Sequence, residues 1–283
     1  MEPGRRPAAD EAIDLQISNE DLGTFYLQSG ELGQATKAIA RMREYCTAPK
    51  HIAEMYLHLV EVAIEQGDWM SVQSHSLKSQ NLNLRAEHSQ NLLPKLTVAG
   101  GLAYICQGNY RDAANIFIAT DPAIGNTFNN VMTMNDIAIY GGLCALASFR
   151  RTELQTSVLD NANFRSFLEL EPHIRRAITL FCNSKYAQCL EILEAYRTDY
   201  LLDLHLQGHV HRIYQAIRSK SIVQYFIPFS TVTMANMASV FATAEDAMER
   251  ELVDMIKRDD LPARVDTQNR VRQSVSPLFL KPR

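Results

Sequence analysis

Three glycines punctuate the first part of the chain. Gly30, Gly67 and Gly108 each interrupt an apolar pattern of helical period, and they lie 37 and 41 residues apart. The spacing predicts helix pairs. One runs from Glu20 to Cys46 with a break at Gly30, and Ser18 followed by Asp21 is its expected start. A second runs from Lys50 to Gln66, breaks at Gly67-Asp68 and resumes at Trp69, and a third spans Gly101 to Pro122 with a break at Gly108-Asn109. The doublets Gly100-Gly101 and Gly141-Gly142 recur 41 residues apart, each followed by Leu. A lone helix pair cannot bury its apolar face, so repetition of this kind demands stacking into an array.

Within the third pair, Leu102, Tyr104, Gly108, Tyr110, Ala113, Phe117 and Pro122 resemble a tetratricopeptide repeat, although the period exceeds that family's 34 residues. From Ala138 to Phe149 small residues dominate, which predicts a helix that a neighbour approaches closely. Phe164–Pro172 and Asn183–Leu190 open further helices, and Tyr200–Tyr214 leads into a long one before Pro228. Apolar residues at 46% and charged residues at 21% suffice for a sizeable core in 283 residues. The five cysteines include no Cys-x-x-Cys pair and read as thiols in a reducing compartment. No apolar run reaches the ~20 residues of a membrane helix, and the start of the chain lacks a signal peptide's apolar core, so the expectation is a soluble protein.

The segment Tyr225–Gln273 has a different grammar. After the break at Pro228, Met234, Met237, Ala238 and Phe241 share one helical face. Thr243 and Asp246 then suggest a capping box, and Ala244, Met248, Leu252, Met255 and Ile256 form the next apolar stripe. Ala263 and Val265 alternate with Arg264 and Asp266. A three-residue loop, Thr267–Asn269, returns the chain through Arg270, Val271 and Arg272. Helix, turn, helix and a two-stranded hairpin make a winged helix. Such modules often read DNA, but between Ala244 and Arg258 five acids face three bases, a net −2 where phosphate demands positive charge. Protein contact is the better expectation.

Tyr225, Ser230, Met234, Ala238, Phe241, Glu249, Leu252, Ile256, Leu261, Ala263, Val265 and Asp266 resemble the winged-helix half of a PCI domain. Proteins of the proteasome lid, the COP-nine signalosome and a translation initiation factor share that domain. Asp259 stands where the family often has a helix-ending glycine, and Asp tolerates the left-handed conformation better than most residues. Residues 20–35, 43–51, 138–149, 164–172 and 262–266 resemble the subunit-one family of the signalosome more than its proteasome-lid paralogue. The resemblance implies a mainly α fold, a right-handed TPR-like solenoid capped by a PCI winged helix with a small β-hairpin. Its divisions would be a disordered leader at 1–18, repeats at 19–130, a PCI domain at 131–274 (helical half 131–219, winged helix 220–274) and a tail at 275–283. It further implies a non-catalytic scaffold in the cytoplasm and nucleus, bound to other PCI subunits and serving removal of the Nedd-type modifier from cullin-RING ubiquitin ligases. No membrane, nucleic acid or cofactor is expected.

The expected interface is the wing: Ala263, Arg264, Val265, Asp266, Arg270, Val271 and Arg272, with Arg264 and Arg272 on an outer face that suits an acidic neighbour. The family continues past the wing into a long helix that joins a bundle of all subunits. Ser276–Pro282, with two prolines, does not supply it, so this form is expected to lack that anchor. One catalytic pattern needs weighing. His209, His211 and Ser219 reproduce most of the His-x-His-x7-Ser-x2-Asp signature of zinc isopeptidases, but Ile222 occupies the acid's position. On a helix, residues two apart face different directions, so the two histidines would not share an ion. His51, His58, His75 and His88 read as helix-surface residues, and Glu169 and Glu171 as a helix boundary. No catalytic or metal-binding residue is expected.

Overall fold

The computed structural model describes residues 9–83, 86–229, 231–261, 263–266 and 271–274. Helices dominate them, and they form two compact units. The first takes the described residues up to Gly141 together with Ala162–Leu170; the second takes Gly142–Asn161 and those from Glu171 onward.

In the first unit, α1 (Ala9–Gln28), α2 (Leu32–Arg41), α3 (Pro49–Gln66), α4 (Trp69–Gln80), α5 (Ala86–Cys106) and α6 (Tyr110–Ala119) each pack on their neighbours in sequence. The expected breaks are where the helices turn: Gly30, Gly67 and Gly108 have φ of 78°, 68° and 80°. That conformation costs a side-chain-bearing residue about 1–2 kcal/mol. Directly after two of them, Asp68 and Asn109 accept backbone N–H bonds from Ser71 (3.2 Å) and Asp112 (3.5 Å) and start the next helix. Two expectations need correction. The first helix begins at Ala9, so residues 9–18 are helical and Ser18 lies inside α1. The helix after Gly30 ends at Arg41, and a 3₁₀ turn, Met42–Glu44, carries the chain to Cys46. One face of α2 (Ala35, Ile39), the 3₁₀ residue Met42 and one face of α3 (Ile52, Met55, Leu59, Val62) build a buried cluster.

The small-residue helix is α7 (Met134–Ser148); a short α8 (Arg151–Glu153) runs on into a π-helical turn, Leu154–Leu159. Next come α9 (Ala162–Leu170) and α10 (Pro172–Cys182). The α7 glycines are packing devices: a Cβ on Gly141 would lie 2.8 Å from the Phe164 ring of α9, and one on Gly142 would lie 2.3 Å from Cγ2 of Ile174 of α10. After α10, Ser184 turns the chain with φ 61° into α11 (Tyr186–Ala195), followed by α12 (Arg197–Leu202) and α13 (Val210–Phe226). The second unit ends with β1 (Thr231–Thr233), α14 (Met234–Val240), α15 (Glu245–Lys257), β2 (Ala263–Asp266) and β3 (Val271–Ser274). The fold is mainly α, a helical-repeat array and a winged helix. The tail at 275–283 lies outside the described residues.

Candidate interaction surface

The winged helix rests on α13. Its Val210, Ile213 and Ile217 are buried, as is Leu206 in the turn before it, and Ile222 is fully buried. His209 immediately precedes α13 and His211 is exposed in its first turn. Among the described residues no three His, Cys, Asp or Glu side chains are grouped to hold a metal ion.

Two cations of α13 fix what surrounds it. Arg218 Nε donates to Glu251 Oε1 at 2.8 Å, and its Nη2 donates to Glu251 Oε2 at 3.0 Å and to Thr243 Oγ1 at 2.9 Å. That fork clamps α15 and the turn before it. It also explains why the expected capping box is absent. Thr243 receives Arg218 and donates to Phe241 O (2.9 Å), so Ala244 occupies the N-cap position without a side-chain cap. Two residues along, Lys220 Nζ donates to the carbonyls of Leu146 and Phe149 at the end of α7 and lies 4.8 Å from the centre of the Phe181 ring. Burial pushes its ammonium down to about 7. Neither role is legible from spacing, because each partner is remote in sequence.

The α15 stripe is Met248, Leu252 and Met255, each fully buried, while Ala244 is exposed at the helix start. Beyond Lys257 the chain turns at Asp259, with φ 64°. Asp259 N–H donates to Ile256 O (3.1 Å) and Asp260 N–H to Met255 O (3.0 Å), a Schellman closure with Asp in the glycine position.

The wing differs from the expected hairpin. The sheet has three strands in the order β1-β3-β2, all antiparallel. Thr231–Thr233, unforeseen as a strand, pairs with β3 from Thr231↔Gln273 to Thr233↔Val271. Val271 and Arg272 are therefore in the central strand and offer no edge, which is a correction. β2, with Ala263, Arg264, Val265 and Asp266, has β3 on one side and no partner on the other among the described residues. The register pairs Arg264 with Gln273 and Val265 with Arg272. Arg264 and Arg272 are thus not register partners. Asp266 pairs with Val271. Arg270 and Thr267–Asn269 lie outside the described residues.

Comparisons with known proteins cover both halves. The family described as "26S proteasome subunit RPN7" matches residues 5–157, and the PCI domain matches residues 193–271. COP9 signalosome complex subunit 1 of Emericella nidulans is 52% identical over 270 residues, covering 91% of this chain and 54% of that protein. The same subunit of Arabidopsis thaliana is 42% identical over 257 residues, covering 91% and 58%. The 26S proteasome regulatory subunit RPN7 of Saccharomyces cerevisiae is 19% identical over 261 residues, covering 91% and 60%. The chain spans about half to three-fifths of the length of these relatives. With a family match over more than half of the chain and a PCI domain behind it, the chain belongs to the 26S proteasome subunit RPN7 family, and its resemblance there is to signalosome subunit 1.

Proposed function

We propose that the chain is a non-catalytic scaffold of the COP9 signalosome, acting in the cytoplasm and nucleus. It holds neighbouring PCI subunits while the complex removes the Nedd-type modifier from cullin-RING ubiquitin ligases. The observation that carries this reading is the 52% identity to a named signalosome subunit across 91% of the chain. The helical repeats serve as the spacer, residues 131–274 as the PCI domain, and the wing as its lateral contact.

The side of β2 that has no strand partner among the described residues supports strand addition by a neighbour, since its N–H and C=O groups are a template for a further strand. Val265→Pro removes a donor from that strand. The variant is expected to keep its helical circular dichroism and lose signalosome PCI subunits in co-precipitation from cells. Undiminished recovery of those subunits with a folded variant refutes the wing assignment. Recovery of proteasome-lid subunits by the unmodified chain would transfer the reading to the paralogous complex.

A further inference from the structure

The repeat half carries a concavity that the scaffold reading does not use. Helices α4 and α6 both pack on α5, and between them lies an open cleft of about 260 Å³. Tyr104 of α5 lines it, with Leu77 and Gln80 from α4 and Asp112, Asn115 and Ile116 from α6. At Gly100 the helices approach closely, because a Cβ there would lie 2.6 Å from Ser76 Oγ. Gln107 Nε2 donates to Gln73 Oε1 at 3.1 Å and ties α5 to α4 beside the cleft.

Several of the cleft's polar groups have no partner among the described residues. The carboxamides of Gln80 and Asn115 and the Tyr104 hydroxyl form no hydrogen bond within the described residues. Asp112 supplies the only formal charge of the lining and receives Asn109 Nδ2 at 2.6 Å, a neutral partner. A large apolar side chain, Leu77, stands 49% exposed beside them.

We infer that this cleft receives an extended polypeptide segment of another protein, one that places a basic side chain against Asp112 and an apolar side chain on Leu77 and Ile116. Three features select that occupant. Carboxamides both donate and accept, so two of them along one cleft match the alternating N–H and C=O groups of an extended backbone. The volume falls below the ~300–1,000 Å³ of ordinary small-molecule pockets, which favours a chain crossing the cleft and seating one or two side chains. The single charge is negative, which fixes the sign of the complement.

The test uses the intact 283-residue chain and fluorescence anisotropy with three labelled octapeptides. One has a central Arg-Leu pair in a Ser/Val background. The second has Glu in place of Arg, and the third is the Arg peptide methylated at alternate backbone nitrogens. The Arg peptide is expected to bind saturably, and each of the other two at least about tenfold more weakly. Asn115→Arg, a change at an exposed position that fills the cleft, should lower affinity for the Arg peptide by about tenfold or more with an unchanged melting curve. Asp112→Asn should abolish the preference for Arg over Glu. Absence of saturable binding by the Arg peptide, equal binding of the Arg and Glu peptides, or undiminished binding by a folded Asn115→Arg variant overturns the inference.

Discussion

Arg218 ties α13 to the winged helix through a fork that the sequence pattern does not single out. Its side chain is 28% exposed and that of Glu251 26%, so the fork is partly shielded from solvent. Arg218→Ala leaves Glu251 and the Thr243 hydroxyl without their partner, and it should cost about 2 kcal/mol in urea denaturation. His58 joins two helices more weakly. Its Nε2 lies 3.3 Å from Glu20 of α1 and its Nδ1 3.3 Å from Glu61 of α3. The hydrogen bond to Glu61 is the main cause that raises the imidazole above its ordinary value, against burial, which lowers it. A raised pKa contributes stability that is fully present below the unfolded value of about 6.5 and is lost as pH rises through the folded one. His58→Gln should therefore shift the urea midpoint more at about pH 6 than at about pH 8. Because the imidazole is 30% exposed, the effect should stay under about 1 kcal/mol. Equal shifts at both pH values would show that the ion pairs contribute nothing.

At the scale of elements, the helix pairs were legible because their signals are local. A glycine that ends one helix at Gly67 or Gly108 and an Asp or Asn that caps the next occupy consecutive positions, and the structure uses both. Strand β1 was not legible. Thr-Val-Thr is too short to declare itself, and it is a strand only because β3, some forty residues later, lies beside it. The capping box failed for a similar reason, since a guanidinium from α13 claims the threonine hydroxyl. Over residues 9–18 the expected leader is helix instead, because α1 already runs through them. Close approach at α7 was legible as a run of small residues, and it makes a sharp prediction. Gly142→Ala puts a methyl 2.3 Å from Ile174 Cγ2. The gain in helix propensity, about 1 kcal/mol, should be outweighed by overpacking of about 1–3 kcal/mol. A lower thermal midpoint than the parent checks this, and a higher one would mean that α10 yields freely.

Across the whole molecule, the histidine–serine pattern does not assemble a metal centre among the described residues, and Ile222 sits fully buried where an acid ligand would be required. Elemental analysis of the purified chain should find no stoichiometric zinc, and a chelator should leave its melting curve unchanged. About one zinc per chain, lost in His209→Ala, would reverse that assignment. No helix among the described residues is long and apolar enough to cross a membrane. The placement of β3 between β1 and β2 has a consequence for birth on the ribosome. At about 5–20 residues per second, Thr231 is made roughly 2–8 s before its partner Gln273. Through that interval β1 waits with its ladder unfilled while the residues of α14 and α15 are added, and those of the helical repeats have already been made. On the proposed reading of the wing as the lateral contact, that surface is completed only after the residues of the helical repeats have been made.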